Sequence, residues 1–332
     1  MKLTMRVITV VVLAILTAPL ASEAQQAGRM YRIGYLLDGR PPDQTPSPLR
    51  SPLGALEETL RDLGYVEGRN LVVERRFAAL KYDRLPDLAA ELVRLKPDVI
   101  VTGGNPAIAA LKQTTTTVPI VMLWADDPVG AGLVTSLARP GGNITGSSLT
   151  AGPEFSAKQL EILNEIVPKL SRVAILRQTG RSGAYTAAFE SVARKLGLTI
   201  LFTDVHTPND IEGAFATLTR SRPGALLVLG GSITYASRQQ IADLAVQHRL
   251  PGIALLREYA EAGLLLTYGP DMVAQFRGAA TYIDKIFRGA RPGDLPVQEP
   301  TQFELVVNTR TARALGLKIP PSMLVRADQV IE

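Results

Sequence analysis

Cysteine is absent from this chain of 332 residues, and histidine occurs only twice, at His206 and His248. A chain without cysteine forms no disulfide framework, no thiolate metal centre and no cysteine-based nucleophile. We expect both histidines to be surface or helix-capping residues. The composition therefore leaves few residue types for catalysis, and we predict neither a metal site nor a cofactor.

Aromatic residues are also scarce, at 5%, and charged residues make up only 20% of a chain that is 46% hydrophobic. This balance excludes a disordered chain and a coiled coil, both of which need more charge and less apolar content. The formal net charge of +5 is too small and too evenly spread to indicate nucleic-acid binding. At roughly 100–200 residues per domain, the length predicts two domains.

The first 24 residues have the organisation of a secretory signal. Lys2 and Arg6 precede an apolar stretch from Val7 to Leu20, and small residues at Ser22 and Ala24 form a cleavage site. The stretch is shorter than the roughly 20 residues of a membrane-spanning helix, which is the alternative interpretation. We therefore predict export to the periplasm with cleavage near Ala24. No cysteine follows that could carry a lipid anchor.

Short apolar runs rich in β-branched residues recur along the chain from residue 31 onward. They predict strands at 31–37, 71–77, 98–102, 119–124, 172–177, 199–205, 225–230, 252–256, 264–268 and 303–308. Amphipathic helical patterns lie between most of them. Near-continuous apolar strands that alternate with helices predict the α/β class, with parallel sheets covered by helices on both faces.

The same order of turn signals occurs twice along the chain. A helix is predicted to end at Gly64 in the first half and at Gly197 in the second, each glycine acting as a left-handed cap. A Gly-Gly-polar turn then follows a strand, at 103–105 and at 230–232, and the next strand begins after a proline. This shared order predicts the duplication of one α/β lobe.

Two lobes require connecting segments that cross between them. The turn-rich candidates are 138–146, 268–271 and 291–300. We predict a first lobe formed by 30–145 together with 270–332, and a second lobe formed by 146–269. The predicted architecture is two similar doubly wound parallel-sheet lobes joined by a multi-strand hinge. In an exported chain with few residues suited to catalysis, this architecture is typical of a hinge-bending receptor.

Candidate ligand-binding residues follow from the predicted strand ends, because ligands of open parallel sheets lie beyond the carboxyl ends of the strands. The Gly-Gly turns offer backbone N–H groups to an anion. Asp126 could pair with a ligand ammonium group. Aromatic rings, among them that of Trp124, the only tryptophan, could stack on a planar ligand. The alternatives are that Asn105 caps its own helix and that Arg177 is solvated. The candidates are Gly39, Gly104, Asn105, Asp126, Arg177, Gly231, Ser232, Tyr235 and Tyr268.

Several motifs resemble one protein family. The segment 127–146, which begins Asp-Pro-Val-Gly-Ala-Gly-Leu-Val and ends Arg-Pro-Gly-Gly-Asn-Ile-Thr-Gly, is similar to a signature of ABC-transporter substrate-binding proteins, in the group with tryptophan- and tyrosine-binding members. The turns at 104–107 and 268–270 and the tail 303–321 are also similar, so that the resemblance covers roughly 31–331. It implies a type I periplasmic-binding-protein fold, a small-molecule solute, and ABC permease and ATPase subunits as partners.

We therefore expect a monomeric receptor, not an enzyme, that binds a small amino-acid-like or organic-acid solute by hinge closure. The identity of the solute is not carried over from the family, because the turns at 178–183 and 230–232 depart from the family pattern. The alternatives are a ligand-sensing subunit of a membrane signalling system, and a hydrolase or racemase on a two-lobed scaffold.

Overall fold

The computed structural model describes residues 29–41, 52–149, 152–179 and 183–332, in which the strands form two sheets. The strands of the first sheet are β1 (Tyr31–Leu37), β2 (Leu71–Phe77), β3 (Val99–Gly103), β4 (Ile120–Trp124) and β5 (Ile144–Gly146). They are all parallel, in the order β2-β1-β3-β4-β5. This sheet is the centre of the first lobe.

The second sheet is the centre of the second lobe. Its strands are β6 (Arg172–Gln178), β7 (Thr199–Val205), β8 (Ala225–Val228), β9 (Gly252–Ala254), β10 (Leu266–Pro270), β11 (Phe303–Asn308) and β12 (Gln329–Ile331). They lie in the order β12-β11-β10-β9-β8-β6-β7. All neighbours are parallel except β10 and β11, which are antiparallel.

Helices cover both faces of each sheet. In chain order they are α1 (Pro52–Asp62), α2 (Leu85–Arg94), α3 (Asn105–Thr114), α4 (Gly152–Ile166), α5 (Gly183–Lys195), α6 (Asp210–Arg220), α7 (Ser232–Ala236), α8 (Arg238–Gln247), α9 (Arg257–Glu261), α10 (Met272–Phe287), α11 (Thr309–Leu315) and α12 (Pro321–Arg326). Single 3-10 turns lie at Tyr82–Arg84 and Pro292–Asp294. Leu56 of α1 packs in one core of the first lobe and Ile108 of α3 in the other, so each sheet face has its own core.

The predicted α/β class and strand pattern are confirmed. Every apolar run predicted as a strand contains one, because alternate side chains of each run are buried under helices on opposite faces of a sheet. Gly64 and Gly197 have φ of 93° and 69°, as predicted for left-handed caps. The short edge strand β12 was not predicted.

The predicted division of the chain into lobes is wrong for the segment 303–332. Helix α10 does pack on the first lobe, where Phe276 and Ile283 join a core with Ile33. Strand β11, however, pairs with β10 of the second lobe, and β12 extends the same sheet. The apolar pattern of 303–308 predicts a strand but carries no information on which sheet edge the strand extends.

The chain consequently crosses between the lobes three times, near residues 147, 271 and 300. Ser147 and Gln298 form a bridge between the first and third crossings, and Gln275 donates to the Ser148 carbonyl. Gly146 has φ of 125°, and a Cβ on it would lie 2.2 Å from the Met122 carbonyl oxygen, so only glycine fits where β5 leaves the sheet. These segments form the hinge.

The predicted signal at residues 1–24 lies outside the described residues. Within the described ranges, every helix is too short or too polar to cross a membrane.

Candidate functional site

A cavity of about 400 Å³ lies between the lobes, where the carboxyl ends of the two sheets face each other. The residues that line it are Asp38, Gly104, Asn105, Pro106, Ala109, Trp124, Asp126, Gly130, Ala131 and Leu133 from the first lobe, Leu149 from the first crossing, and Gln178, Thr179, Gly230, Gly231 and Ser232 from the second lobe. This is the position that the strand order predicts for a ligand. The volume suits a small solute.

The N-terminus of helix α3 faces the cavity with its backbone amides. Gly104 occupies the cap position with φ of 84°, and as a glycine it has no side chain that could cap the helix. The Asn105 side chain does not serve as a cap: its Nδ2 donates to the Asp126 carbonyl at 2.7 Å, and its Oδ1 accepts from the Asp126 backbone N–H at 2.9 Å. Asn105 therefore holds the loop that carries Asp126, and the first-turn N–H groups can bind an anion.

A hydrogen bond joins the two lobes inside the cleft. Ser232 Oγ, from the second lobe, donates to Asp38 Oδ1, from the first, over 2.6 Å. Asp38 is 2% exposed. Burial raises the pKa of its carboxyl to about 6, although the hydrogen bonds from Ser232 and from the backbone amides of Asp38 and Gly39 work in the opposite direction. The carboxyl is therefore mainly ionised at neutral pH. The hydrogen bond from Ser232 also shows that the two lobes are in contact inside the cleft.

The side of the cavity formed by the second lobe is built around Gln178. Its Oε1 accepts from the Ile233 backbone N–H at 3.1 Å, which fixes the side chain beside Gly231. A Cβ on Gly231 would lie 2.8 Å from that same oxygen. The turn 230–232 is therefore glycine-rich because the strand end of β6 approaches it closely.

Trp124 provides the aromatic surface of the cavity. Its ring stacks on Phe276 with centroids 5.6 Å apart and an interplanar angle of 17°. A Cβ on Gly103 would lie 2.5 Å from the ring, so glycine at that position lets the indole lie flat against β3. Together with Leu133 and Leu149, Trp124 gives the cavity an apolar region beside its polar end.

Of the nine predicted ligand-binding residues, the structure gathers five around the cavity. These are Gly104, Asn105, Asp126, Gly231 and Ser232. Gly39 does not line the cavity, but its amide hydrogen-bonds the Asp38 carboxylate, which does. Asp38, Gln178 and Thr179 were missed as candidates, although all of them lie at predicted strand ends.

Arg177 does not face the cavity. Its guanidinium pairs with Asp204, donates to Thr186 Oγ1 at 2.7 Å and lies over the Phe202 ring. Successive residues of a strand point to opposite faces, so when Gln178 points into the cleft its neighbour Arg177 points away. The interpretation of Arg177 as a ligand residue is wrong for this structure.

The two tyrosines among the candidates also lie outside the cavity. The Tyr235 ring packs edge-on to Tyr259 and under the Arg238 guanidinium, 4.7 Å from the ring centroid. The Tyr268 ring stacks against Phe155 and Phe303, with centroids 5.7 and 5.8 Å away, near the hinge. Strand β10 continues to Pro270, so Tyr268 is an internal strand residue and not the strand end that the sequence predicted.

The charged side chains that line the cavity, among the residues that the structure describes, are all carboxylates. Asp38 and Asp126 face it, and among the lining side chains that the structure describes none is a lysine, arginine or histidine. An ammonium group would be attracted by these carboxylates. An anionic group could bind the backbone amides at the N-terminus of α3.

Comparisons with known proteins agree with this architecture. The family described as ABC transporter substrate binding protein matches residues 47–331. A tyrosine-binding protein of Clostridioides difficile is 26% identical over 263 residues, which are 79% of this chain and 75% of that protein. Two crystal structures each cover 91% of this chain and are covered completely by it: a conserved domain protein of Vibrio cholerae (26% identity, TM-score 0.83) and an ABC domain of Streptococcus pneumonia in complex with L-Trp (25% identity, TM-score 0.81).

Proposed function

The chain belongs to the ABC transporter substrate-binding protein family, and we propose that it binds one small solute of the amino-acid class in the cavity between its lobes. The observation that carries the proposal is the cavity itself, which places two carboxylates, a helix N-terminus and an indole ring around one solute-sized volume. An amino acid has an ammonium group for the carboxylates, a carboxylate for the helix N-terminus and a side chain for the indole ring.

The arrangement of the cavity supports one orientation of the solute. Its carboxylate would accept from the backbone amides of the first turn of α3, which follow Gly104. Its ammonium group would lie between Asp38 and Asp126, and its side chain would contact Trp124 and the adjacent leucines. An organic acid has no ammonium group to pair with the buried carboxylate of Asp38, which favours the amino-acid class over the organic acids.

The names of two relatives support an aromatic side chain. One curated relative is a tyrosine-binding protein, and one similar crystal structure holds L-Trp. In this chain the flat face of Trp124 and the apolar side chains of Leu133 and Leu149 could pack against an aromatic ring. We therefore place tyrosine and tryptophan first among the solutes to be tested.

Binding would act by hinge closure. A solute held by Gly104 and Asp126 on one side and by Gly231 and Ser232 on the other makes all of these contacts only when the lobes are together. It therefore shifts the population toward the closed form. The closed receptor would deliver the solute to the permease and ATPase subunits of an ABC importer, the partners that the family implies.

Three further properties belong to the same proposal. The chain would be exported to the periplasm with its signal cleaved near Ala24, would act as a monomer without nucleic acid, and would not be an enzyme. The last point is supported by the family model, which describes substrate-binding proteins of transporters. A sensing role would use the same closure and would differ in the membrane partner.

A thermal-shift screen tests the proposal. The purified chain is heated with amino acids, organic acids, nucleosides and sugars, each in a separate sample. We expect an amino acid, tyrosine or tryptophan foremost, to raise the melting temperature, since a ligand at 100 times its dissociation constant adds about 2.7 kcal/mol to the free energy of unfolding. Stabilisation by a sugar or a nucleoside alone would contradict the amino-acid assignment. Failure of every class would contradict a solute receptor.

A further inference from the structure

Closure of the lobes buries the carboxylate of Asp38. Asp38 directly follows β1 at the carboxyl end of the first sheet, and its Oδ1 receives the hydrogen bond from Ser232 across the cleft. Tyr82 is close enough to Asp38 for this carboxylate to raise the pKa of the tyrosine, and its ring packs against apolar cores of both lobes. With the lobes together, Asp38 is 2% exposed. Separation of the lobes would return this carboxylate to water.

This buried carboxylate has hydrogen-bond donors but no cationic partner among the described lining residues of the cavity. The donors are the Ser232 hydroxyl and the backbone amides of Asp38 and Gly39. An ionised carboxylate that loses water without gaining a positive charge is unfavourable, even when it is hydrogen-bonded. Closure of the empty cleft therefore has an electrostatic cost that is concentrated on one residue.

We propose that Asp38 makes closure depend on the positive charge of the solute. A solute with an ammonium group supplies the missing cation and so stabilises the closed form, whereas a solute of the same shape without that group binds the open lobe and leaves the cleft open. Asp38 thus selects solutes through the closing equilibrium as well as through contact. This inference rests on the proposed function of the cleft.

The second carboxylate of the cavity provides a contrast. Asp126 is half-buried, and the loop that carries it is held by Asn105 within the same lobe. Part of the surface of this residue is exposed to water when the lobes are together. Asp126 should therefore affect the affinity for an ammonium group but not the position of the empty lobes.

The experiment measures the distance between the lobes in solution. Because the natural chain has no cysteine, Arg94→Cys on α2 and Ala216→Cys on α6, both at exposed positions, give one spin label on each lobe for electron–electron double resonance. The doubly labelled chain carries either Asp38 or Asp38→Asn, in which the amide oxygen still accepts from Ser232 and the charge is gone. Distances are recorded without solute, with L-tryptophan and with its deaminated analogue, indolepropionate.

We expect the unliganded Asp38→Asn chain to populate the short, closed distance several-fold more than the unliganded parent. In the parent, L-tryptophan should shorten the distance and indolepropionate should not. The preference for L-tryptophan over indolepropionate, measured as a ratio of dissociation constants, should fall at least tenfold in Asp38→Asn. An unliganded Asp38→Asn chain with the same distance distribution as the parent would overturn the proposal.

Two controls keep the result interpretable. Asp126→Asn should weaken L-tryptophan binding while the unliganded distance stays that of the parent, and Ser232→Ala, which removes the interlobe bond but keeps the charge, should open the empty cleft further. If Asp38→Asn does not fold by circular dichroism, the solute series on the parent chain still decides, because closure by indolepropionate as complete as by L-tryptophan overturns the proposal. The unliganded comparison uses no solute, so it fails separately from the proposed function.

Discussion

Replacing Gly104 with alanine should weaken solute binding at least a hundredfold, which corresponds to about 2.7 kcal/mol. The residue has φ of 84°, and a Cβ there would lie 2.7 Å from Asp38 Oδ2. The carboxylate cannot simply move aside, because its other oxygen is bound to Ser232. The methyl group would also sit at the start of α3, where the solute carboxylate is proposed to bind. Titration calorimetry of the folded variant measures the loss.

Gly64→Ala is the matched control for this substitution. Gly64 also has a left-handed φ, of 93°, but a Cβ there would meet no described atom within 4 Å. Both variants therefore place alanine at a positive φ, which costs stability, and only Gly104→Ala disturbs the cleft. Equal affinity in the two variants would show that the N-terminus of α3 is not part of the binding site.

Replacing Gly269 with alanine should destabilise the fold by about 3 kcal/mol or more, the upper range for a forced overpacking. A Cβ on Gly269 would lie 1.8 Å from the Leu255 carbonyl oxygen. That oxygen belongs to the backbone that follows β9, next to β10, so relief requires the separation of two neighbouring strands beside the hinge. Urea unfolding monitored by circular dichroism gives the free energy of unfolding.

The control variant for Gly269→Ala is Gly213→Ala. Gly213 lies in the exposed middle of α6, and a Cβ there would touch no described atom within 4 Å. Alanine at this position should stabilise the chain by about 0.5–1 kcal/mol through helix propensity. If Gly269→Ala unfolds at the same urea concentration as the parent, then β9 and β10 are not as close as the structure has them.

The sequence was informative where a local pattern determines the structure. Apolar runs are strands because their side chains are buried on both faces, and the left-handed caps at Gly64 and Gly197 were predicted since few other residues adopt that conformation. The predicted strand ends also located the cleft, because the parallel strands of one sheet have their carboxyl ends at the same edge. Gly104, Asp126 and Ser232 were found in this way.

Information that depends on the orientation of a side chain or on the pairing of distant strands was not available from the sequence. Arg177 and Gln178 share a strand end, and only the twist and register of β6 decide that the glutamine faces the cleft. Asp38 was not predicted as a ligand-binding residue, because its buried position depends on a partner in the other lobe, Ser232. The pairing of β11 with β10, after an excursion through the first lobe, likewise has no local signal.

Fluorescence of Trp124 tests the central claim, that the solute occupies the cavity between the lobes, most directly. Trp124 is the only tryptophan of the chain and lines the cavity, so its emission reports on this one site. Titration with L-tyrosine, excited at the red edge of the tryptophan band, should change the emission in a saturable way with one solute per chain and with the dissociation constant found by calorimetry. Calorimetric binding of a solute that leaves the emission of Trp124 unchanged at saturation would contradict the account.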